Sequence, residues 1–570
     1  MKALLEVWAP RARKVEVELC DTGRRLLLVE RPDGLFQIDI AAVVGPYLLR
    51  LDDADPIPDP RAADVASVHG PCFTVDHARF AWTDQAHRPA GLEGAVLYEL
   101  HVGTFTREGT FDAAAARLPA LKHLGITHVE LMPVATFSGE HGWGYDGAAL
   151  FAPHRAYGGV DGLKRLVDAA HALGLNMVLD VVFNHLGPIG NYLGHFGPYF
   201  HPDRHTPWGG AVVNLDGAQS QPVRRFFLDN AFHWLDHYHF DGLRLDAVHA
   251  LVDDSPVHLL TQLAAEVEAS GRKVLIAESD LNDPVVIRRR AELGYGMDAQ
   301  WSDDLHHALR ATLTGEAHGY YADFHPNPLR LLARALEQGF VFQGQHSGHR
   351  ERAHGLPLGD VPLHRLLGYA QTHDQVGNDA TGRRLSHAAG IARAKAALAL
   401  VLMSPFTPML FMGEEWAASS PFLFFTDHRD PEVARATTEG RKRELATQGF
   451  TQASPDPQDP TTFFRSKLDW NERDRAPHAQ VLEFTRALLA LRRSSPLLMS
   501  HRPGRCRVDE ERQTLLYERG NFIVALNLGA SGVVSLPPGP SWRSLVDTGV
   551  SMTSSDSVSL PEDGLAILGI

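Results

Sequence analysis

The chain is poor in cysteine, has no basic run and has no long apolar stretch. Its three cysteines, Cys20, Cys72 and Cys506, among 570 residues are too few and of the wrong parity for a disulfide framework. No Cys/His spacing resembles a zinc site. Sparse cysteine fits a reducing compartment, so a cytoplasmic location is expected. The net charge is −15, with Lys and Arg scattered, which argues against a nucleic-acid or anionic-membrane partner. No run approaches about 18 uninterrupted apolar residues, so no membrane span is expected. The opening segment, MKALLEVWAPRARKVEVELC, lacks an apolar core and a small-residue cleavage site and does not read as a signal peptide. What is present is ordinary for a globular protein, 44% hydrophobic and 22% charged. The length suits several domains, fewer if one is a large barrel. Nine Trp and 31 His are residue types that often line polar, non-ionic sites such as those for sugars.

Residues 1–88 read as β. VEVEL (15–19), RLLLVE (25–30) and GPYLLRLDD (45–53) are short strands separated by DTG and PDG turn signals, and a small β-sandwich is expected. The rhythm then changes. AVLYELHVG (95–103) is a nearly continuous apolar run, as buried parallel strands are. Helical stretches at 111–125, 160–174, 223–238 and 257–269 alternate with strand-like segments at 126–134, 175–185, 240–251 and 272–279. Further strands are expected near 297–301, 367–371 and 408–413. Strands alternating with helices mean βα units and a parallel sheet, and about eight such units mean an α/β fold of the (β/α)8 TIM-barrel type. The expected barrel spans 89–495, with PDPQDP (455–460) as a surface excursion and a helix near 481–492. Residues 496–570 return to β, with QTLLYER (513–519) and NFIVALNLG (521–529) as a hairpin across a Gly–Asn turn, and VVSLP (533–537), SWRSLVD (541–547) and LAILGI (565–570) complete an expected C-terminal β-sandwich.

Chemistry in such a barrel sits at the C-terminal strand ends, and the polar clusters fall there. DVVFNH supplies Asp180, Asn184 and His185; GLRLDAVH supplies Arg244, Asp246 and His249; AES supplies Glu278; QTHDQVGN supplies His373 and Asp374. Arg244 and Asp246 are two apart, so in a strand they share a face, and the cation keeps the carboxylate ionised. Taken alone, the pair is more readily a structural ion pair than an oriented nucleophile, and AES alone is as readily a cap or turn as a catalytic segment. Glu278 follows VLIA and has no cation adjacent in sequence, so burial and nearby carboxylates favour its protonated form. One carboxylate kept ionised and one carboxylic acid kept protonated are what glycoside cleavage requires.

These four segments, in this order, resemble the four signature regions of the α-amylase family of glycoside hydrolases and transferases. The likeness covers the barrel, the flanking β regions fit it, and each polar position of the signature is filled. The resemblance implies Asp246 as nucleophile, Glu278 as general acid/base and Asp374 as transition-state stabiliser. It implies that Arg244 holds Asp246 ionised, that His185 and His373 hydrogen-bond the sugar, and that Tyr145, in HGWGYDG, stacks on its ring. His249 joins the expected substrate-binding residues.

Three further stretches resemble the trehalose-releasing branch of that family: 301–324 (WSDDLHHALRATLTGEAHGYYADF), 340–355 and 422–428. That branch cleaves the α-1,4 bond next to the terminal trehalose of malto-oligosyltrehalose. The same stretches could instead be loops packed on the barrel rim. Trp301, Asp303 and Asp304 are candidates for contacts beyond the cleaved bond. A glycogen-branching or debranching enzyme would share the catalytic residues. A non-catalytic glucan-binding protein would not need all three acids. No cofactor is expected. No metal is expected either: the excursion at 186–222 offers few carboxylates (Asp203, Asp216) against the six to eight oxygens calcium takes, and Asn184 is read as a structural hydrogen-bonder.

Overall fold

Eight short parallel strands, buried along their whole length, close into a barrel. In the computed structural model they are β1 (Leu97–Leu100), β2 (His128–Leu131), β3 (Asn176–Val181), β4 (Gly242–Leu245), β5 (Val274–Ala277), β6 (Ala299–Trp301), β7 (Leu366–Gly368) and β8 (Thr407–Phe411). Each pairs in parallel with the next, and β8 returns to β1. Burial on both faces explains why these segments read as continuous apolar runs. The interior is packed with Leu97, Val178, Ile276, Ala299, Trp301, Leu367 and Met409, as a closed small barrel requires. Residues 4–206, 210–271, 273–450, 454–538, 541–546 and 548–570 are described. Arg272 and Asp547, at the edges of two expected strands, and residues 207–209, in the excursion after β3, lie outside them.

Several expected helices break where local chemistry demands it. The stretch 111–125 is two helices, Phe111–Ala115 and Leu118–Leu124. Pro119 sits in the first turn of the second, where its missing N–H costs nothing, and Gly125 closes it at φ 113°. The stretch 223–238 is an α-helix, Ser220–Phe232, that runs into a π-turn, His233–His237. The helix Leu385–Met403 is long and apolar enough by composition to cross a bilayer, a feature absent from the sequence-based expectation. It contains Arg393, paired with Asp563 at 2.7 Å, and its Ala394 and Ala396–Met403 are buried within the fold.

The N-terminal strands form two sheets, one of three strands and one of five. The expected strand 25–30 is divided between them. Arg25–Leu27 pairs with Val15–Leu19, and Val29–Arg31 pairs with Leu35–Asp39. Leu28 at the division is buried and donates its N–H to Val15 O at 3.0 Å. Leu4–Trp8 and Leu35–Asp39 are strands that sequence reading did not separate. At the C-terminal end, Thr514–Arg519 and Phe522–Asn527 form the expected hairpin around Gly520 (φ 59°), within a five-stranded sheet beside a three-stranded one.

Candidate active site

Register builds the centre of the site. Asp180 on β3 lies opposite Arg244 on β4, so both side chains point inward at the barrel's C-terminal end. Arg244 is fully buried. Its Nη1 donates to both Asp180 oxygens at 2.9 and 2.8 Å and to Asp246 Oδ1 at 2.9 Å. Asn184 donates to the other Asp246 oxygen at 2.9 Å and to its carbonyl at 2.7 Å. Asp246 is thereby held on both oxygens. Burial works against the Arg244 charge, but Asp180, Tyr145, Asp246 and Glu278 together raise its pKa well above the ordinary value. The same burial, opposed by Arg244, brings Asp180 up to about 6.

The backbone ladder continues past the strand ends and brings Glu278 alongside. Asp246 N–H donates to Val181 O, Glu278 N–H to Leu245 O and Val248 N–H to Glu278 O, at 3.1, 3.0 and 2.9 Å. Ala247 takes a left-handed conformation (φ 38°), uncommon for a residue with a Cβ, and its N–H reaches Glu278 Oε2 at 2.5 Å. Arg244 Nη2 stands 3.6 Å from that same oxygen. A cation absent from Glu278's sequence neighbourhood is therefore present in space. Burial still pushes the Glu278 pKa well above the carboxylate range, with Asp246, Asp374 and Asp303 adding to it. The side chains of Asp246 and Glu278 are 14% and 15% exposed, enough to be reached from the cleft.

QTHDQVGN folds as a capped turn. Thr372 Oγ1 accepts from Asp374 N–H at 3.2 Å, and Gln375 Oε1 accepts from Thr372 N–H at 2.8 Å, the reciprocal pattern of a capping box. This sets His373 and Asp374 in the first turn of helix His373–Gly377. Asp374 is open to the cleft, its side chain 39% exposed. Its seat within the protein pushes its pKa up, but His373, 3.4 Å away, and Arg244 hold it below the usual value. Tyr145 stacks on the His373 ring at 5.1 Å and donates its hydroxyl to Asp180 at 2.6 Å.

Asp180, Asn184, His185, Arg244, Asp246, Glu278, His373, Asp374 and Tyr145 thus meet in one cluster. Other expected contacts fall elsewhere. His185 turns both ring nitrogens to protein oxygens, Nδ1 to Asn184 Oδ1 and Nε2 to Tyr145 O at 2.8 Å, so it braces the two rather than facing a sugar. Trp301 is 1% exposed and lies under the Arg244 guanidinium, 4.2 Å from the ring centre; it is packing beneath the site. Asp304 is buried and accepts from Asn282, Val341 N–H and Phe342 N–H at 2.7, 2.6 and 3.0 Å, which makes it an anchor for a loop. Asp303 stays near the cleft. It accepts from Tyr369 OH at 2.5 Å, and burial brings it up to about 7. His249 lies 3.7 Å from Asp280, which also pairs with Arg350 at 2.7 Å.

Sequence reading missed Glu99, Asp280 and Arg350. For Glu99 there was a signal, a lone acid inside the apolar run of β1; Arg350 lay within the stretch 340–355 already singled out, and for Asp280 there was none. Among the described residues, the group whose side chains could share a cation is His87, His171 and Asp241, at the opposite end of the barrel. Both imidazoles there are already hydrogen-bonded to Asp241.

Residues 77–194 match the alpha amylase catalytic domain family. The chain is 49% identical over 548 residues to a malto-oligosyltrehalose trehalohydrolase of Arthrobacter ramosus, covering 94% of each chain. It is 44% identical over 588 residues to one of Rhizobium sp. M-11, covering 99% of this chain and 97% of the relative. Its structure superposes on a crystal structure described as an alpha amylase of Salmonella typhimurium with a TM-score of 0.91 at 39% identity, covering 100% of this chain and 97% of that one. Full-length similarity at this level, with the four strand-end clusters assembled around Arg244, places the chain: it belongs to the malto-oligosyltrehalose trehalohydrolase family of α-amylase-type glycoside hydrolases.

Proposed function

We propose that this chain hydrolyses the α-1,4-glucosidic bond joining a malto-oligosaccharide to a terminal trehalose unit, releasing trehalose by double displacement. Asp246 attacks the anomeric carbon as the C1–O bond breaks, and Glu278 gives its proton to the departing trehalose oxygen. Glu278, now a carboxylate, takes a proton from water. The water oxygen then attacks the same carbon and frees Asp246. Two inversions leave the α configuration retained. Asp374 sets its charge beside the sugar while positive character develops at the ring.

The observation that carries this reading is how Arg244 treats the two acids. It grips Asp246 at 2.9 Å and stands 3.6 Å from Glu278. With Asn184 on its other oxygen, Asp246 accepts from a donor on each oxygen, which aims it as a nucleophile. Glu278 receives Ala247 N–H and faces Arg244 on Oε2, so its proton rides on Oε1. A carboxyl separation of about 5–5.5 Å between them accompanies retention, against about 6.5–9.5 Å for inversion. Asp303, held by the buried Tyr369 hydroxyl, is the candidate contact for the trehalose unit beyond the cleaved bond. The three free thiols suit the cytoplasm.

The deciding assay supplies malto-oligosyltrehalose to the purified protein and resolves the products. Free trehalose and the shortened malto-oligosaccharide are expected. New α-1,6 branches, or their loss from a branched glucan, without trehalose would give the site to a branching or debranching enzyme instead.

A further inference from the structure

Glu99 stands in the middle of β1 between apolar neighbours and is 1% exposed. A buried charge needs a partner, and here it is His373. One Glu99 oxygen meets His373 Nδ1, and the other accepts the backbone N–H of the same residue at 3.0 Å. Beside Glu99 in register lies Glu130 on β2, also 1% exposed. Two buried carboxyls side by side do not both ionise. Neither Glu130 oxygen has a hydrogen-bond partner among the described residues. Burial, then Glu99, pushes the Glu130 pKa well above the ordinary value. Glu130, with no donor on either oxygen, therefore keeps its proton. On the far side of the imidazole, Nε2 lies 3.4 Å from Asp374 Oδ1. Burial disfavours the ring's charge, but Asp374 and Glu99 outweigh it. Tyr145 stacked at 5.1 Å and Trp143 edge-on at 5.6 Å fix the ring plane.

We propose that Glu99 is a positioning residue for the reaction: by gripping both the ring and the backbone amide of His373, it fixes that ring as an imidazolium whose Nε2–H faces Asp374 and the bound sugar. Glu99 acts only through His373 and touches no substrate. The inference rests on the reading of this cleft as a glycosidase centre. In Glu99→Gln one of these two acceptor oxygens becomes an NH2, which either opposes the His373 backbone N–H or turns to donate to Nδ1, and in both cases the ring loses its buried counter-charge. The imidazolium becomes a neutral imidazole while the side-chain volume is kept.

The test is a double-mutant cycle on kcat for trehalose release, with Glu99→Gln, His373→Asn and the pair. Glu99→Gln should lower kcat about 10–100-fold, less than or equal to the loss of a direct donor, with KM nearly unchanged. In the His373→Asn background it should add less than about 2-fold. Glu99→Asp, which keeps the carboxylate, should retain most of the activity. Equal losses in both backgrounds, no loss in the parent, or equal impairment of Glu99→Gln and Glu99→Asp would overturn the proposal. Should Glu99→Gln fail to fold, the cycle runs with Glu99→Asp, whose smaller loss must likewise vanish without His373. A parent protein that releases no trehalose overturns the functional reading itself, and an active parent unaffected by these changes overturns only the role of Glu99.

Discussion

Strand β4 is flanked by two carboxylates, the buried Asp241 before it and the partly exposed Asp246 after it, and the two ends are built to opposite purposes. At the N-terminal end, Asp241 Oδ1 pairs with His87 Nε2 at 2.9 Å. Its Oδ2 takes His171 Nε2 at 3.0 Å and Met177 N–H at 2.8 Å. Asp84 in turn receives His171 and His239 at 2.9 and 2.8 Å. The His87 and His171 rings lie face to face at 3.8 Å. Burial raises the Asp241 pKa, but these partners together pull it well below the usual range. Both Asp241 oxygens are met, and the end is closed. At the C-terminal end, Arg244 is shared unevenly among three carboxylates, Glu278 is left with a raised pKa, and solvent reaches Asp246, Glu278 and Asp374. The same residue types make a clasp where hydrogen bonding is complete and a reactive centre where it is deliberately uneven.

Substitutions at the two ends should therefore separate activity from stability. Asp246→Asn should lower kcat by roughly 10^4-fold or more, since removing a nucleophile disables the whole unit, with thermal melting almost unchanged. A variant that keeps appreciable turnover removes Asp246 from the nucleophile's role. Glu278→Gln should cost about 10²–10⁴-fold and should also abolish the alkaline limb of the kcat/KM profile. The sign follows from the raised pKa: activity needs the protonated acid and falls as pH rises through that value. An alkaline limb that survives in Glu278→Gln belongs to another group.

At the closed end, Asp241→Asn should leave kcat of the folded protein unchanged and lower unfolding free energy by about 3–5 kcal/mol, the cost of breaking a buried pair, read by urea denaturation. Its pH dependence is defined on both sides. Asp241 has a depressed folded pKa, so its contribution is present above the ordinary Asp value of about 3.9 and is lost toward acid. For His171, burial lowers the pKa but Asp241 and Asp84 more than restore it. Its contribution is full below about 6.5 and is lost as pH rises through the raised value. The stability difference between parent and variant should be greatest between about pH 4 and 6.5, and a pH-independent difference would contradict the clasp. Smallest of the set, Asp304→Ala should cost about 1–3 kcal/mol through the backbone donors at 341 and 342 that it leaves unmet, with kcat unaffected. A large kcat effect would return Asp304 to the substrate.

The barrel was legible because burial on both faces turns each strand into an apolar run, and the catalytic cluster because its polar residues follow those runs directly. The residues misread from sequence are those whose surroundings come from distant chain. Trp301 lies under Arg244, 57 positions away in sequence, Asp304 is claimed by backbone at 341 and 342, and His185 is turned by the Tyr145 loop. Glu278 showed the same limit: its nearest cation is Arg244 on the neighbouring strand. The break at Leu28 was hidden because a residue crossing between two sheets keeps the same β-rich composition on both sides.

The most direct measurement follows the anomeric protons by NMR during cleavage of malto-oligosyltrehalose. Free trehalose is expected together with a malto-oligosaccharide whose new reducing end first appears as the α anomer and only later mutarotates. A first-formed β anomer would contradict the double displacement at Asp246.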